Sequence, residues 1–159
     1  MARWHNRKME IRPYTAADRQ ACLAVFDSNV PDFFRSQERP QLEAFLADPR
    51  AAYFVMEHDG SVAGCGGHYR LDNDPSQARL VWGMVRRELH RHGLGRFLLL
   101  YRIREITKMG GVQTVRVDTS QHAAPFFQRQ GFKTVSVEKD GYGPGNDRVV
   151  MAIRLTVCP

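Results

Sequence analysis

Residues 52–85 carry three successive strand patterns, and these constrain the fold more than any other stretch of the chain. Two apolar runs, "AYFVMEH" and "SVAGCGGHYRL", flank Asp59-Gly60, and Asp-Gly between apolar runs is a strong hairpin signal. The turn residues "LDNDPSQ" then separate a third run, "ARLVWGMV". This order predicts an antiparallel meander of three strands.

The segments around the meander alternate between helical and strand patterns. "MEIRPY" predicts a first strand, and two helical patterns follow it before the meander begins. After the meander, apolar residues recur at helical spacing from Leu94, and Gly110-Gly111 ends that helix. "VQTVRVD", "KTVSVEK" and "DRVVMAIRL" predict further strands, with a short helix in "HAAPFFQRQ". The sequence therefore predicts an α/β fold, in a single domain over residues 1–159.

The composition limits the classes of protein to which the chain can belong. No apolar stretch approaches the roughly 20 residues of a membrane span, and the N-terminus lacks the apolar block of a secretory signal, so we expect a cytoplasmic protein with no membrane partner. Cys22, Cys65 and Cys158 are widely spaced, which predicts free thiols. The formal net charge of +6 indicates an anionic partner: nucleic acid, a phosphorylated cofactor or an acidic surface.

The segment "HRHGLGRFLLL", residues 90–100, places two glycines at the start of the predicted third helix, with arginines on both sides. A helix N-terminus has unpaired backbone N–H groups and the positive end of the peptide dipole, so a glycine turn there can wrap a phosphate. The spacing is neither GxGxxG in a parallel strand-helix-strand unit nor the Gly-Lys-Ser/Thr of a P-loop. A phosphate-binding turn and a packing hinge with solvated arginines both remain open.

Two segments carry a resemblance to a known family. "VRRELHRHGLGRFLL", residues 85–99, is similar to an Arg/Gln-x-x-Gly-x-Gly/Ala motif, with His90 where Arg or Gln is usual. "AAPFFQRQGF", residues 123–132, is similar to an "A-x-x-FYEKxGF" block. Both motifs, in this order, resemble the GNAT superfamily of acyl-CoA-dependent N-acyltransferases over nearly the whole chain. The resemblance implies a central mixed, mostly antiparallel, splayed sheet flanked by helices, with acetyl-CoA in a V-shaped opening between the fourth and fifth strands.

The resemblance also implies a set of residues for acetyl-CoA. An amide at the end of the fourth strand, at Met84 or Val85, would stabilise the charge on the thioester carbonyl oxygen, while both side chains belong to the core. Backbone groups of Val85–Arg87 would pair with the pantetheine arm, and amides of Arg91–Arg96 would hold the pyrophosphate. The expected contacts are Met84, Val85, Arg86, Arg87, His90, Arg91, His92, Gly93, Leu94, Gly95, Arg96, Ser120 and Phe127.

The resemblance implies a Tyr as the usual general acid, and this chain has Phe127 at that position. Phenylalanine cannot donate a proton, so Ser120 or His122, at the start of the same short helix, are the candidate acids. The alternatives are that Ser120 caps the helix and that His122 makes a structural hydrogen bond. The reaction can also proceed without a general acid, because a thiol of pKa about 8.5 is a tolerable leaving group.

The candidate general bases are Glu57 and His68 on the predicted meander. The alternatives are a solvated Glu57, a His68 that faces away from the cleft, and loss of the amine proton through a chain of waters. His90-x-His92 lacks a third ligand at useful spacing, so we expect no metal.

The resemblance places the acceptor beside the first two helices. "SNVPDFF", with Asp32, Phe33 and Phe34, is expected to line the acceptor site; the alternative is aromatic packing at a helix break. The segment is locally acidic, which gives the hypothesis that it attracts a cationic amine, against the alternative of a solvated face. The acidic residues are Asp27, Asp32, Glu38 and Glu43.

Three functions follow from these observations. The first is an N-acetyltransferase that transfers the acetyl group of acetyl-CoA to a primary amine of a small molecule, amino acid or protein, by direct attack in a ternary complex. The second is an acyl-CoA-binding domain with weak or no catalysis, for which Phe127 is the argument. The third, a basic nucleic-acid-binding module, is disfavoured because the arginines cluster at one helix start, so no nucleic-acid partner is expected. A homodimer is compatible with the resemblance.

Overall fold

A computed structural model describes residues 9–156, in which seven strands form one sheet flanked by four helices. The strands are β1 (Met9–Pro13), β2 (Ala52–His58), β3 (Ser61–Arg70), β4 (Gln77–Val85), β5 (Thr114–Ser120), β6 (Lys133–Glu138) and β7 (Arg148–Arg154). The helices are α1 (Arg19–Ser28), α2 (Arg39–Ala47), α3 (Leu94–Met109) and α4 (Ala124–Arg129). The elements follow the predicted order, and the predicted fold class is confirmed.

The strand order in the sheet is β1-β2-β3-β4-β5-β7-β6. β4 and β5 are parallel, whereas the β1–β2, β5–β7 and β6–β7 pairs are antiparallel. The β4–β5 ladder joins Gln77–Leu80 to Thr114–Val117. It ends there, although β4 continues to Val85.

The chain forms two compact units, of which the first is Met1–Gly67 with Trp82–Leu100. α1 presents Cys22, Val25 and Phe26 at helical spacing to a core shared with α2 and strands β2 to β4. Cys22 and Cys65 are buried free thiols, as predicted, whereas Cys158 lies outside the described residues. A hydrogen bond with Cys65, together with burial, raises the pKa of the Cys22 thiol, so this sulfur stays protonated.

The second unit is His68–Val81 with Tyr101–Pro159, and β5 divides its sheet into two faces. Val115, Val117 and Thr119 are buried on one face, whereas the residues between them are half-buried on the other. β7 continues the apolar face, because Val117 pairs with Met151 in the β5–β7 ladder. Within residues 9–156, no helix is long and apolar enough to span a membrane.

One arginine fastens β1 to the rest of the first unit. The Arg12 guanidinium donates from both terminal nitrogens to the two carboxylate oxygens of Asp18, at 2.8 Å each, and also to Glu57 Oε1 at 3.0 Å. Asp18 Oδ2 accepts a further hydrogen bond from the Thr15 N–H at 2.8 Å. The Arg12 hydrogen bonds hold the pKa of Asp18 below its ordinary value.

We predict that Asp18→Asn lowers the free energy of unfolding by about 2 kcal/mol at pH 7, because the bidentate ion pair is lost. A carboxyl with a depressed folded pKa stabilises the protein above its unfolded pKa of about 3.9, and this stabilisation is lost as the pH falls through the folded value. Urea unfolding from pH 7 to pH 3 should therefore show the gap between wild type and variant closing in acid. The exposed Asp72→Asn is the control. A gap of the same size at every pH would contradict the assignment.

Candidate active site

The backbone of β4 leaves regular strand geometry at Trp82, which has φ +43°. A positive φ is rare for a bulky residue and is retained only where the surroundings impose it. Here the Tyr53 hydroxyl donates to the Trp82 carbonyl oxygen at 2.8 Å, and the indole packs against Phe26 and Phe34. The segment after Trp82, predicted to meet the thioester, is therefore redirected by packing from α1.

The carbonyl oxygen of Val85, at the end of β4, accepts two side-chain hydrogen bonds. Asn29 Nδ2 lies 3.0 Å away and His90 Nε2 lies 2.8 Å away, which requires the His90 tautomer protonated on Nε2. Asn29 is buried just after α1, and its Nδ2 also donates to the Val25 carbonyl at 2.9 Å. Sequence reasoning found Val85 and His90 but missed Asn29, because a buried Asn after a helix has no distinctive spacing.

The neighbouring backbone groups also have partners within the first unit. The Arg86 N–H donates to the Ala63 carbonyl at 2.8 Å, and the Arg87 N–H donates to Ser28 Oγ at 3.1 Å. The expected pairing of Val85–Arg87 backbone groups with a pantetheine arm stays a prediction. The Val85 carbonyl and both of these N–H groups already make hydrogen bonds inside the chain.

Beyond the end of β4, four residues that were predicted for different roles contact one another. The Arg87 guanidinium lies 4.8 Å from the ring centroid of Phe33 and 3.1 Å from Asp32 Oδ2. The Phe33 ring meets the His90 ring edge to face at 5.0 Å. Both members of the Arg87–Asp32 pair are exposed, so it contributes little stability by itself.

The other acceptor-side residues have structural partners. Phe34 packs in the core of the first unit rather than beside Phe33. Arg39 pairs with Asp27 at 2.9 Å and with Glu43 at 2.6 Å, and Glu38 accepts the Arg35 N–H at 2.8 Å. Arginines and backbone thus occupy the acidic groups that were expected to attract a cationic amine.

The turn before α3 leaves the start of that helix open. Arg91 and Gly93 have φ of +65° and +79°, and the Gly93 carbonyl accepts the Phe97 N–H at 3.0 Å, so Gly93 is the residue at which the helix begins. The N–H groups of the next turn point out of the helix without helical partners. A Cβ built on Gly93 meets nothing within 4 Å.

The turn before α3 has one buried apolar side chain and several exposed basic side chains. Leu94 is buried with Met56 and Ala63, which fixes the start of α3. Arg91, His92 and Arg96 are exposed. Within residues 9–156, no group of three or more His, Cys, Asp or Glu side chains is placed to hold a metal ion.

In the second unit, the candidate acids lie between β5 and α4. Ser120, the last residue of β5, accepts the His122 N–H on its Oγ at 3.3 Å, but α4 begins at Ala124 and no side chain caps it, so the alternative that Ser120 caps this helix is wrong. His122 is exposed, and its Nε2 lies 3.3 Å from Asn146 Oδ1. The Phe127 ring packs edge to face on Phe126 and Phe132, so its position is apolar.

The two candidate bases lie in different environments. Glu57 is half-buried and accepts hydrogen bonds from Arg12, so its carboxylate is part of the β1–β2 network. His68 is buried, and burial, together with the charge of Arg102, lowers the pKa of its imidazole. His68 is therefore neutral and buried, and its role as a proton acceptor stays a prediction.

The fold matches solved structures of acetyltransferases. The structure of a GNAT-family protein from Desulfovibrio desulfuricans matches with a TM-score of 0.80 at 21% identity, covering 92% of this chain and 99% of that one. The ribosomal-protein-S18-alanine N-acetyltransferase from Escherichia coli matches with a TM-score of 0.76 at 21% identity, covering 96% of this chain and 97% of that one. An aminoglycoside 6'-N-acetyltransferase complexed with coenzyme A matches with a TM-score of 0.74 at 14% identity, covering 94% and 99%.

These structural likenesses establish the fold, and a family model adds the relationship in sequence. The model of the acetyltransferase (GNAT) family matches residues 22–132, which include both motifs identified above. The chain therefore belongs to the GNAT acetyltransferase family, as its resemblance indicated. A comparison with curated proteins finds no significant match.

We predict that Asn29→Asp destabilises the protein by about 3 kcal/mol at pH 7, because the new carboxylate is buried against the Val25 and Val85 carbonyl oxygens. Burial raises the pKa of such a carboxyl, so it is protonated in acid and can then donate one hydrogen bond. Urea unfolding should show a smaller deficit at pH 4.5 than at pH 7, while Asn29→Ala shows a deficit independent of pH. A pH-independent deficit for Asn29→Asp would contradict the two-carbonyl geometry.

Proposed function

We propose that the protein is an N-acetyltransferase that uses acetyl-CoA and transfers the acetyl group to a primary amine by direct attack in a ternary complex. The observation that carries the proposal is the start of α3, where Gly93 is exposed, has positive φ and lies between exposed arginines. Family membership supplies the class of reaction. The acceptor is an amine of a small molecule, an amino acid or a protein.

In this proposal, first-turn amides of α3 bind the diphosphate of acetyl-CoA. The N–H groups of Leu94, Gly95 and Arg96 supply donors at the positive end of the helix dipole. Arg91 and Arg96 add positive charge beside them, and Gly93 keeps the approach open for the phosphate oxygens. The aminoglycoside acetyltransferase, which matches this fold, is complexed with coenzyme A, which supports the assignment of the co-substrate.

The reacting end of acetyl-CoA is assigned to the end of β4. A backbone N–H at Met84 or Val85 would stabilise the negative charge that develops on the thioester oxygen when the amine attacks. Asn29, His90 and the Ala63 carbonyl hold the Val85–Arg86 peptide group in one orientation, so the adjacent donor is fixed before the reaction. The rigid peptide group is thus the chain's own contribution to the transition state.

Two proton transfers accompany the reaction, one from the acceptor amine and one to the departing thiolate. Because Arg12 donates to Glu57 and His68 is buried, the ammonium proton of the acceptor is proposed to leave through water. Ser120 and His122 remain the proposed donors to the departing thiolate. Phe33 and Asp32 remain the proposed acceptor-side residues, since Phe34 is committed to the core.

A second function is favoured by one observation, the packing of Phe127 among other phenylalanines in place of an acid. An acetyl-CoA-binding domain without catalysis would bind the co-substrate and release no thiol. A thiol-release assay with acetyl-CoA and a panel of amines separates the two functions. Release that depends on an amine supports the enzyme, and binding without release supports the second function.

We predict that saturating acetyl-CoA raises the melting temperature of the wild type and that Gly93→Ala abolishes this shift. The methyl group would occupy the space in which the diphosphate is proposed to lie. The matched control is Gly110→Ala at the other end of α3, because Gly110 has a similar φ of +73° and an equally open surrounding. Both variants should lose about 1–2 kcal/mol through backbone strain, but Gly110→Ala should keep the shift. An intact shift in Gly93→Ala would contradict the proposal.

We predict that Phe127→Tyr raises kcat by at least about tenfold, because it installs a proton donor at the position of the family's acid. The phenol fits a half-buried position at little cost in stability. Phe126→Tyr, one residue earlier on α4, is the control and should leave kcat unchanged. Equal kcat values in wild type and Phe127→Tyr would show that departure of the thiolate does not limit the reaction.

A further inference from the structure

Three arginines in the second unit converge on one carboxylate. Asp118 is on the polar face of β5, and its side chain is only 3% exposed. It accepts hydrogen bonds from Arg116 Nε at 3.1 Å, from Arg148 Nε at 3.0 Å and from the Arg79 guanidinium. Each of the three arginine side chains is about a third exposed, at 31–32%. We call this group the arginine cluster: Arg79, Arg116 and Arg148 around Asp118.

The charges of the arginine cluster do not balance. Arg79 and Arg116 are register partners in the β4–β5 ladder, so two like charges lie directly opposite on adjacent strands. Such pairs are destabilising unless another charge compensates them. Asp118 neutralises one of the three positive charges, and Glu138, which accepts from Arg148 Nη1 at 3.2 Å, neutralises a second. One positive charge remains, on a face that water reaches.

Asp118 holds the guanidinium groups in place rather than titrating. Burial by itself raises the pKa of Asp118, but the hydrogen bonds from Arg148 and Arg116 outweigh it and keep the pKa below its ordinary value. The carboxylate is therefore ionised at neutral pH. Guanidinium groups fixed in this way lose little conformational entropy when they bind an anion.

Arg116 is the member with donors to spare. It reaches Asp118 through Nε, and within residues 9–156 its two terminal amino groups donate to no protein atom. The terminal amino groups of Arg148 donate to Asp118 and Glu138. Those of Arg79 donate to Asp118 and to the Tyr69 hydroxyl. The planar amino pair of an arginine matches the oxygens of a carboxylate or phosphate.

The arginine cluster adjoins a residue already assigned to the reaction. Ser120 lies on the same face of β5, two residues beyond Asp118, which corresponds to about 7 Å along a strand. Arg148 is the register partner of Ser120 in the β5–β7 ladder. An anion bound to the cluster would therefore lie within one small molecule's length of this candidate proton donor.

We propose that the arginine cluster binds an anionic group of the acceptor, so that the acceptor is an amine that also carries a carboxylate or a phosphate. This inference rests on the proposed acetyl transfer and narrows its substrate class. It replaces the hypothesis that acidic residues of the first unit select a cationic amine, since those residues are paired with arginines or with backbone.

The test is a thiol-release assay with matched pairs of amines that differ only in the anionic group. β-Alanine is compared with ethylamine, and phosphoethanolamine with ethanolamine, so that the two arms distinguish carboxylate from phosphate. We expect kcat/KM to be at least about tenfold higher for the anionic member of one pair. Equal use of charged and neutral members would overturn the inference and leave the proposed acetyl transfer standing.

The variants assign the preference to one side chain. Arg116→Gln should raise KM for the anionic amine by at least about tenfold, leave kcat within about threefold and leave the neutral amine unaffected. Arg116→Lys keeps the charge but not the paired donors and should recover only part of the affinity. Arg104→Gln, an exposed arginine on α3, is the control for net charge and should change nothing. A KM that rises equally for both members of a pair would overturn the inference.

A binding measurement keeps the inference testable if no amine is acetylated. That result would contradict the proposed function, and the arginine cluster would then be judged by inorganic phosphate at constant ionic strength. Stabilisation by phosphate that is smaller in Arg116→Gln than in the wild type and in Arg104→Gln would support an anion site at the arginine cluster, because the start of α3 is the same in all three proteins. Equal responses of the wild type and Arg116→Gln would overturn it.

Discussion

The first-turn amides of α3 are the constraint on which this account of function depends. A helix cannot supply partners to its own first N–H groups, so a solvent-exposed helix start either binds water or presents donors to an anion. In this chain Gly93 opens that start and Leu94 anchors it in the core. The apolar anchor makes the donors rigid, and the glycine makes them accessible. The diphosphate of acetyl-CoA, the proposed ligand, is an anion that would use both properties.

The net charge of +6 comes from arginines that lie in two kinds of environment. Arg91 and Arg96 are exposed at the start of α3, where positive charge adds to the helix dipole. Other arginines are spent on structure: Arg12 fastens β1, and Arg39 joins α1 to α2. Some arginines thus form structural ion pairs, and others are exposed and are proposed to bind anions. The amino-acid composition alone could not distinguish these two groups.

The sequence predicted the order of elements because the meander and its Asp-Gly turn are local signals, and Asp59 and Gly60 both adopt positive φ in the hairpin. The resemblance pointed to Val85, His90 and Gly93 as site residues, and their roles toward acetyl-CoA stay predictions. The sequence could not predict Asn29, which acts on a carbonyl 56 residues away in the chain. The sequence likewise could not predict the ion-pair partners of Glu57 and of the acidic residues near Asp32. These ion pairs form between strands and helices that only the fold brings together.

The most direct test of the central claim is an NMR titration of the protein with acetyl-CoA, observed at the backbone amides. The account predicts saturable shifts of the Gly93, Leu94, Gly95 and Arg96 amide signals, larger than those at the far end of α3 around Met109. Amide signals of residues 93–96 that stay in place while acetyl-CoA binds and shifts others would contradict the claim that this helix start holds the diphosphate.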